Sequence, residues 1–221
     1  SNLGEGKSTI ASNLASILSQ ADRRVILVDC DLRRPSLHGR LDKTNPKGLT
    51  DIFRERITIW DAITPTNDKN VSIITSGPLP PNPTELLGSA KMDEILENLQ
   101  DMADAIIIDG PPFVVPDASV LADKVDGVIL VVRPRDSRRG MVKAMKEQLA
   151  RVHADVLGVV VNGIPRGIGE FDSYYLDYRP QYEHNDSGKG SSGGGGLEQS
   201  LSHRFSALFG KKPPQGEKDL P

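Results

Sequence analysis

The segment SNLGEGKST at residues 1–9 constrains this chain more than any other, because a glycine-rich turn that runs straight into a helix suits few architectures. Gly4 and Gly6 carry no Cβ, so the backbone can turn its N–H groups inward and approach an anion closely. Ile10, Leu14, Ile17, Leu18 and Ala21 then recur at helical spacing, so residues 7–21 are expected to form an amphipathic helix. The N-terminus of that helix adds a partial positive charge at the same point. A turn of this kind takes its direction from a strand in front of it. The sequence begins inside the turn at Ser1, so the expectation is a sheet whose first strand is missing from this chain.

The remaining elements repeat one theme. RRVILVD at 23–29 is a continuous apolar, β-branched run, which predicts a strand buried on both faces. AIIID at 105–109, VDGVILVVR at 125–133 and VLGVVVN at 156–162 follow the same pattern, and VSIITSG at 71–77 is a shorter candidate. Helical stretches are expected at about 90–101, 117–124 and 138–152. Strands alternating with helices specify an α/β fold with a doubly wound parallel sheet. Phe53 and Trp60 are expected to pack a satellite cluster.

The periodic pattern ends near Arg166, so residues 1–165 read as one domain. Residues 166–196 hold the tyrosines Tyr174, Tyr175, Tyr178 and Tyr182 and then a Gly/Ser linker, a composition that predicts a flexible tail. Leu197, Leu201, Phe205, Leu208 and Phe209 return to helical spacing, which predicts a short amphipathic helix over 197–209 before a disordered end at 210–221. A net charge of −3 gives no global basic field, so nucleic acid is not an expected partner. Cys30 is the one cysteine, which excludes an internal disulfide and suits a reducing compartment. Its acidic neighbours Asp29 and Asp31 disfavour a thiolate, so no redox role is expected. No apolar run approaches the roughly 18 residues that span a bilayer. Membrane attachment is therefore expected from a partner, a missing segment or a surface helix.

Three segments carry the chemistry. The first nine residues fit a P-loop with Ser1 in place of its first glycine. Gly4, Glu5, Gly6, Lys7, Ser8 and Thr9 would then surround the phosphates of ATP, with Lys7 bridging the β- and γ-phosphates and the Ser8 hydroxyl on Mg2+. The second segment, VILVDCDLRRP, puts Asp29 and Asp31 at the C-terminal end of a strand, where open α/β sheets place their ligand sites. Residues two apart on a strand share a face, so both carboxylates can address one metal or one hydroxyl. Crowding raises the proton affinity of one of them, as a general base requires. The third, DAIIIDGPP, ends a hydrophobic strand in Asp109, the Walker B arrangement for holding magnesium.

Together these segments resemble the bacterial tyrosine kinases and the related ATPases of capsular and exopolysaccharide export. The likeness covers about residues 1–165 and rests on GEGKST, VILVDCDLRRPSLH, GPLPPNPTELL, DAIIIDGPP and GVVVN. It implies a P-loop NTPase fold of the ParA/MinD-like type. Asn2 stands where the ParA and MinD ATPases carry an additional lysine, which argues against a partition or septum-site ATPase. Asp29, Asp31 and Arg33 match the family's DxDxR motif. By resemblance Asp29 and Asp31 serve the metal and the incoming tyrosine, Asp109 serves the metal, and Asn162 ends its strand near the position that contacts the base. Which of Asp29 and Asp31 is the base stays open.

The resemblance also implies autophosphorylation of the tyrosine tail and a role in regulating polysaccharide polymerisation and export. Alternatives are an ATPase switch without protein phosphorylation and an inactive scaffold. Family members usually carry, upstream, a helix for ring assembly and often a transmembrane chain-length-determinant domain. The expected partners are therefore a membrane polysaccharide copolymerase protein, or the chain's own missing N-terminal part, and further copies of itself. The expected location is cytoplasmic, at the inner face of the cell membrane.

Overall fold

The structure is a computed structural model that describes residues 4–133 and 139–164. The expected tyrosine tail, linker and terminal helix at 166–221 lie outside the described residues, as do Ser1 and Asn2. The elements run α1 Lys7–Gln20, β1 Val25–Asp29, α2 Leu37–Arg40, α3 Leu49–Phe53, α4 Ile59–Ala62, β2 Ile63–Pro65, β3 Val71–Ile74, α5 Pro83–Leu87, α6 Ala90–Met102, β4 Ala105–Asp109, α7 Pro116–Ala122, β5 Val128–Val132, α8 Arg139–Arg151 and β6 Val156–Val161.

The strands form a four-stranded sheet in the order β2-β3-β1-β4 and a two-stranded sheet, β5-β6. All pairings are parallel except β2 with β3, which is antiparallel. The sequence favoured one parallel sheet; three-residue β2, at the edge, is too short to show a period and its direction is set by the tight link to β3. β4, the strand that ends in Asp109, is an edge strand of the four-stranded sheet.

β1 is buried along its whole length, as its β-branched run requires. Ile26 and Val28 face one cluster with Leu49, Ile52, Ile74, Met92, Ile95 and Leu99, so α3 and α6 cover that side. Val25 and Leu27 face the other side, where Ala11, Ala15 and Leu18 of α1 pack. The small side chains of Ala11 and Ala15 seat α1 on the sheet, and Ile17, expected in the apolar stripe, is 52% exposed. Phe53 packs against the main cluster, whereas Trp60 is 70% exposed and joins no cluster. On the second sheet Val128 and Leu130 pack with Phe113 of the turn before α7, Ala118 of α7, and Met145 and Leu149 of α8. The runs of β4, β5 and β6 are less buried than the sequence implies, since these strands border sheet edges. Among the described residues no helix is long and apolar enough to cross a membrane.

Candidate active site

Strand register builds the site. β1 and β4 run parallel with Val28 beside Ile108 and Asp29 beside Asp109, so two carboxylates end adjacent strands at the same level. The Cys30 N–H donates to the Asp109 carbonyl at 2.9 Å and locks that end. Both side chains are buried. Burial pushes the Asp29 carboxyl up to about 7; the Leu37, Asp31 and Ser36 N–H groups oppose this, while the charge of Asp109 adds to it. Burial likewise lifts Asp109 to about 6, with a contribution from Asp31, against a hydrogen bond from Ser8 and the charges of Lys7 and Arg40. Cys30 is fully buried, and burial together with the charges of Asp29, Asp109 and Asp31 pushes its thiol well above the usual range.

The phosphate loop lies against this pair. Gly4 and Gly6 adopt φ of +82° and +94°, values that glycine reaches without steric cost. Glu5 between them is buried, and Gly6 caps α1 with its carbonyl accepting from the Ile10 N–H at 2.9 Å. Asn162, just past β6, donates from Nδ2 to the Glu5 carbonyl at 2.8 Å. The side chain expected near the base is thus also a strut under the loop.

The chain after β1 closes the site. Asp29 leaves the strand and accepts N–H donation from Asp31 at 3.3 Å, Ser36 at 3.2 Å and Leu37 at 3.0 Å. Asp31 lies beyond the strand, in a turn where its Oδ1 accepts from the Arg33 and Arg34 N–H groups. The expectation that both acids project from one strand face is therefore replaced by one strand-end acid and one turn acid. Ser36 donates from Oγ to the Ser8 hydroxyl at 3.0 Å, and Arg40 donates to the Thr9 hydroxyl at 2.9 Å. These two contacts hold the loop after β1 on the first turn of α1.

Farther out, the Arg33 guanidinium donates to both carboxylate oxygens of Asp117, at 2.7 and 3.0 Å, and to the Thr84 hydroxyl at 3.2 Å. Thr84 in turn donates to Asp117.

Comparison with known proteins gives the arrangement its family. The NUBPL iron-transfer P-loop NTPase family of ParA type matches residues 3–164. The tyrosine-protein kinase YwqD of Bacillus subtilis is 38% identical over 161 residues, 72% of this chain and 68% of that protein. The putative tyrosine-protein kinase CapB of Staphylococcus aureus is 36% identical over 174 residues, covering 78% and 75% of the two chains. The crystal structure of the chimeric protein CapA2B2 superposes with a TM-score of 0.72 at 36% identity, over 74% of this chain and 73% of that one. The chain belongs to the bacterial tyrosine kinases, within the ParA-like P-loop NTPases.

In this kinase domain the structure brings together Gly4, Glu5, Gly6, Lys7, Ser8, Thr9, Asp29, Asp31, Asp109 and Asn162 from segments up to 157 positions apart. Tyr174, Tyr175, Tyr178 and Tyr182 lie outside the described residues. Sequence reasoning missed Ser36, Arg40, Thr84 and Asp117. Of these Ser36 and Thr84 left a trace, inside the phrases VILVDCDLRRPSLH and GPLPPNPTELL.

The site's donor set fits a hard cation. The Oδ2 of Asp109 is buried and has no hydrogen-bond partner, and the Ser8 hydroxyl is beside it. Among the described residues no three His, Cys, Asp or Glu side chains converge on one metal position. A magnesium ion here would take the Ser8 hydroxyl and Asp109, with phosphate oxygens and water completing its shell and with Asp29 and Asp31 reaching it through that water.

Proposed function

We propose that this domain transfers the γ-phosphoryl group of ATP to tyrosine hydroxyls, with Tyr174, Tyr175, Tyr178 and Tyr182 of its own tail as acceptors. The observation that carries the reading is the Asp29–Asp109 register beside a glycine-turned phosphate loop. Loop amides, the helix dipole and Lys7 bind and orient the phosphates, which is most of what phosphoryl transfer asks of a protein. Bound magnesium supplies neutralisation of charge on the transferring group. The tyrosine oxygen forms a bond to the γ-phosphorus, the bond from that phosphorus to the bridging oxygen breaks, and ADP leaves. The phenolic proton passes to a carboxylate of the Asp29–Asp31 pair. Asp31 is the more accessible of the two, being half-buried where Asp29 is sealed by three N–H donors. In this reading Asn162, which donates to the Glu5 carbonyl, also borders the base.

Family membership supports a role in controlling capsular or exopolysaccharide polymerisation and export. Similarity to a chimera, CapA2B2, supports the participation of a second protein component. In this reading that component is a membrane copolymerase which holds the domain at the cytoplasmic face, and copies of the full-length protein present their tails to one another. Mass spectrometry of full-length protein incubated with ATP and magnesium tests the reading. Phosphate is expected on the tail tyrosines and lost in Lys7→Met. Turnover of ATP with no phosphotyrosine would instead favour an ATPase switch.

A further inference from the structure

The DxDxR turn is anchored on the side away from the phosphates. Asp117 opens α7, and its side chain is fully buried. Burial alone would raise its carboxyl, but hydrogen bonds from Arg33 and Thr84 outweigh that and hold it below the usual range. A sealed carboxylate is costly unless paired and hydrogen-bonded, and here the two-point Arg33 fork with the Thr84 hydroxyl satisfies it. Three elements meet at this point: the turn after β1, α5 and α7. The backbone N–H of the same Arg33 donates to Asp31 Oδ1. A rigid path therefore runs from Asp117, through the Arg33 side chain and main chain, to the carboxylate offered to the incoming hydroxyl.

We infer that Asp117 and Thr84 are positioning residues for phosphoryl transfer: they clamp Arg33 and so set where the Asp31 carboxylate stands relative to the phosphate loop. Their side-chain hydrogen bonds go to Arg33 and to each other, not to the phosphate loop. The inference also gives Thr84, within the PNPTELL phrase, a chemical task, because the Asn82–Pro83 start of α5 aims its hydroxyl at Asp117. It rests on the reading of Asp31 as a site residue.

The clamp acts on geometry at the reacting centre, so its loss separates catalysis from binding. A misplacement of about 1 Å costs on the order of 100-fold in rate. Full-length Asp117→Asn is therefore expected to phosphorylate tyrosine about 10–100-fold more slowly, with ADP affinity and the KM for ATP within about threefold, since the loop amides, Lys7 and Ser8 are untouched. Thr84→Val is expected to lose less, about 3–10-fold, because the two-point Arg33–Asp117 fork remains although the hydroxyl's hydrogen bonds to both partners are lost. Thr84→Ser keeps the hydroxyl and restores the rate. Asp31→Asn in the same assay reports on the underlying reading. If Asp31→Asn keeps wild-type turnover, that reading fails. If Asp31→Asn is inactive while Asp117→Asn and Thr84→Val both turn over normally, the clamp alone is wrong. The clamp is also overturned if Thr84→Val loses ADP affinity in step with rate, or if Thr84→Ser is as slow as Thr84→Val. Should Asp117→Asn not fold, the Thr84 pair decides.

Discussion

Replacing Gly6 by alanine tests how the phosphate loop is held between its own backbone and β6. Gly6 sits at φ of +94°, and an L side chain in left-handed backbone costs about 1–2 kcal/mol. A Cβ there would also collide with the Asn162 side-chain amide, which donates to the Glu5 carbonyl. To make room that amide must swing away and give up a hydrogen bond of about 1 kcal/mol. The costs sum to about 2–3 kcal/mol, or roughly 30–150-fold in ADP affinity if binding requires the native loop. Asn162→Ala removes both the obstacle and the bond, so in that background Gly6→Ala should cost only the backbone part, about 1–2 kcal/mol. Titration calorimetry of magnesium–ADP with wild type, the two single variants and the double variant closes the cycle. The expected coupling is about 1 kcal/mol, near fivefold in affinity. Equal costs for Gly6→Ala in both backgrounds would refute the argument that Asn162 braces the loop.

Lys7→Met should abolish ATP turnover while the circular-dichroism spectrum is unchanged; wild-type turnover would remove Lys7 from the site. Asp109→Asn should weaken magnesium-dependent nucleotide binding by about an order of magnitude or more, through the loss of a charged ligand contact. A magnesium titration that superposes on wild type counts against that placement. Leu99, fully buried under β1, should cost about 2–5 kcal/mol when cut to alanine, read as a shifted urea midpoint. A change under about 0.5 kcal/mol would mean that the α6 face is not the core.

The long elements were legible because each repeats its own period several times. The 14 residues of α1 and the fully buried β1, apolar from Val25 to Val28, each carry enough positions to show a helical or a continuous pattern. The short helices α2 to α5 span four or five residues and have no period to display. Their positions come from tertiary contacts, as when α3 starts on the Thr75 and Ser76 carbonyls. Ile17 was misplaced because two alanines, weak signals of burial, face the sheet in its stead. Within the site, glycines, lysine and strand-end acids announce themselves by local chemistry. Asp117 does not, since an acid in the first turn of a helix is ordinarily a favourable surface residue.

The pairing of Asp29 with Asp109 explains why the neighbouring segments look as they do. Burial raises the proton affinity of both strand-end carboxylates, with the charge of Asp109 adding to the rise at Asp29 and that of Asp31 to the rise at Asp109, so the ionised cluster is favoured by positive charge close by. Lys7 and Arg40 provide part of that charge from α1 and α2. Three backbone N–H groups satisfy Asp29, but nothing donates to Asp109 Oδ2. The deficit is therefore localised on one oxygen of a carboxylate that also receives a hydrogen bond from Ser8. A divalent cation bound there would meet that deficit where it is greatest. The turn after β1 is held to the same first turn of α1 through Ser36 and Arg40, so the segment that carries Asp31 is tied to the phosphate loop as well as to the end of β1. Acceptor and donor ends of the transfer are consequently fixed to one another by the chain segment between Asp29 and Arg40.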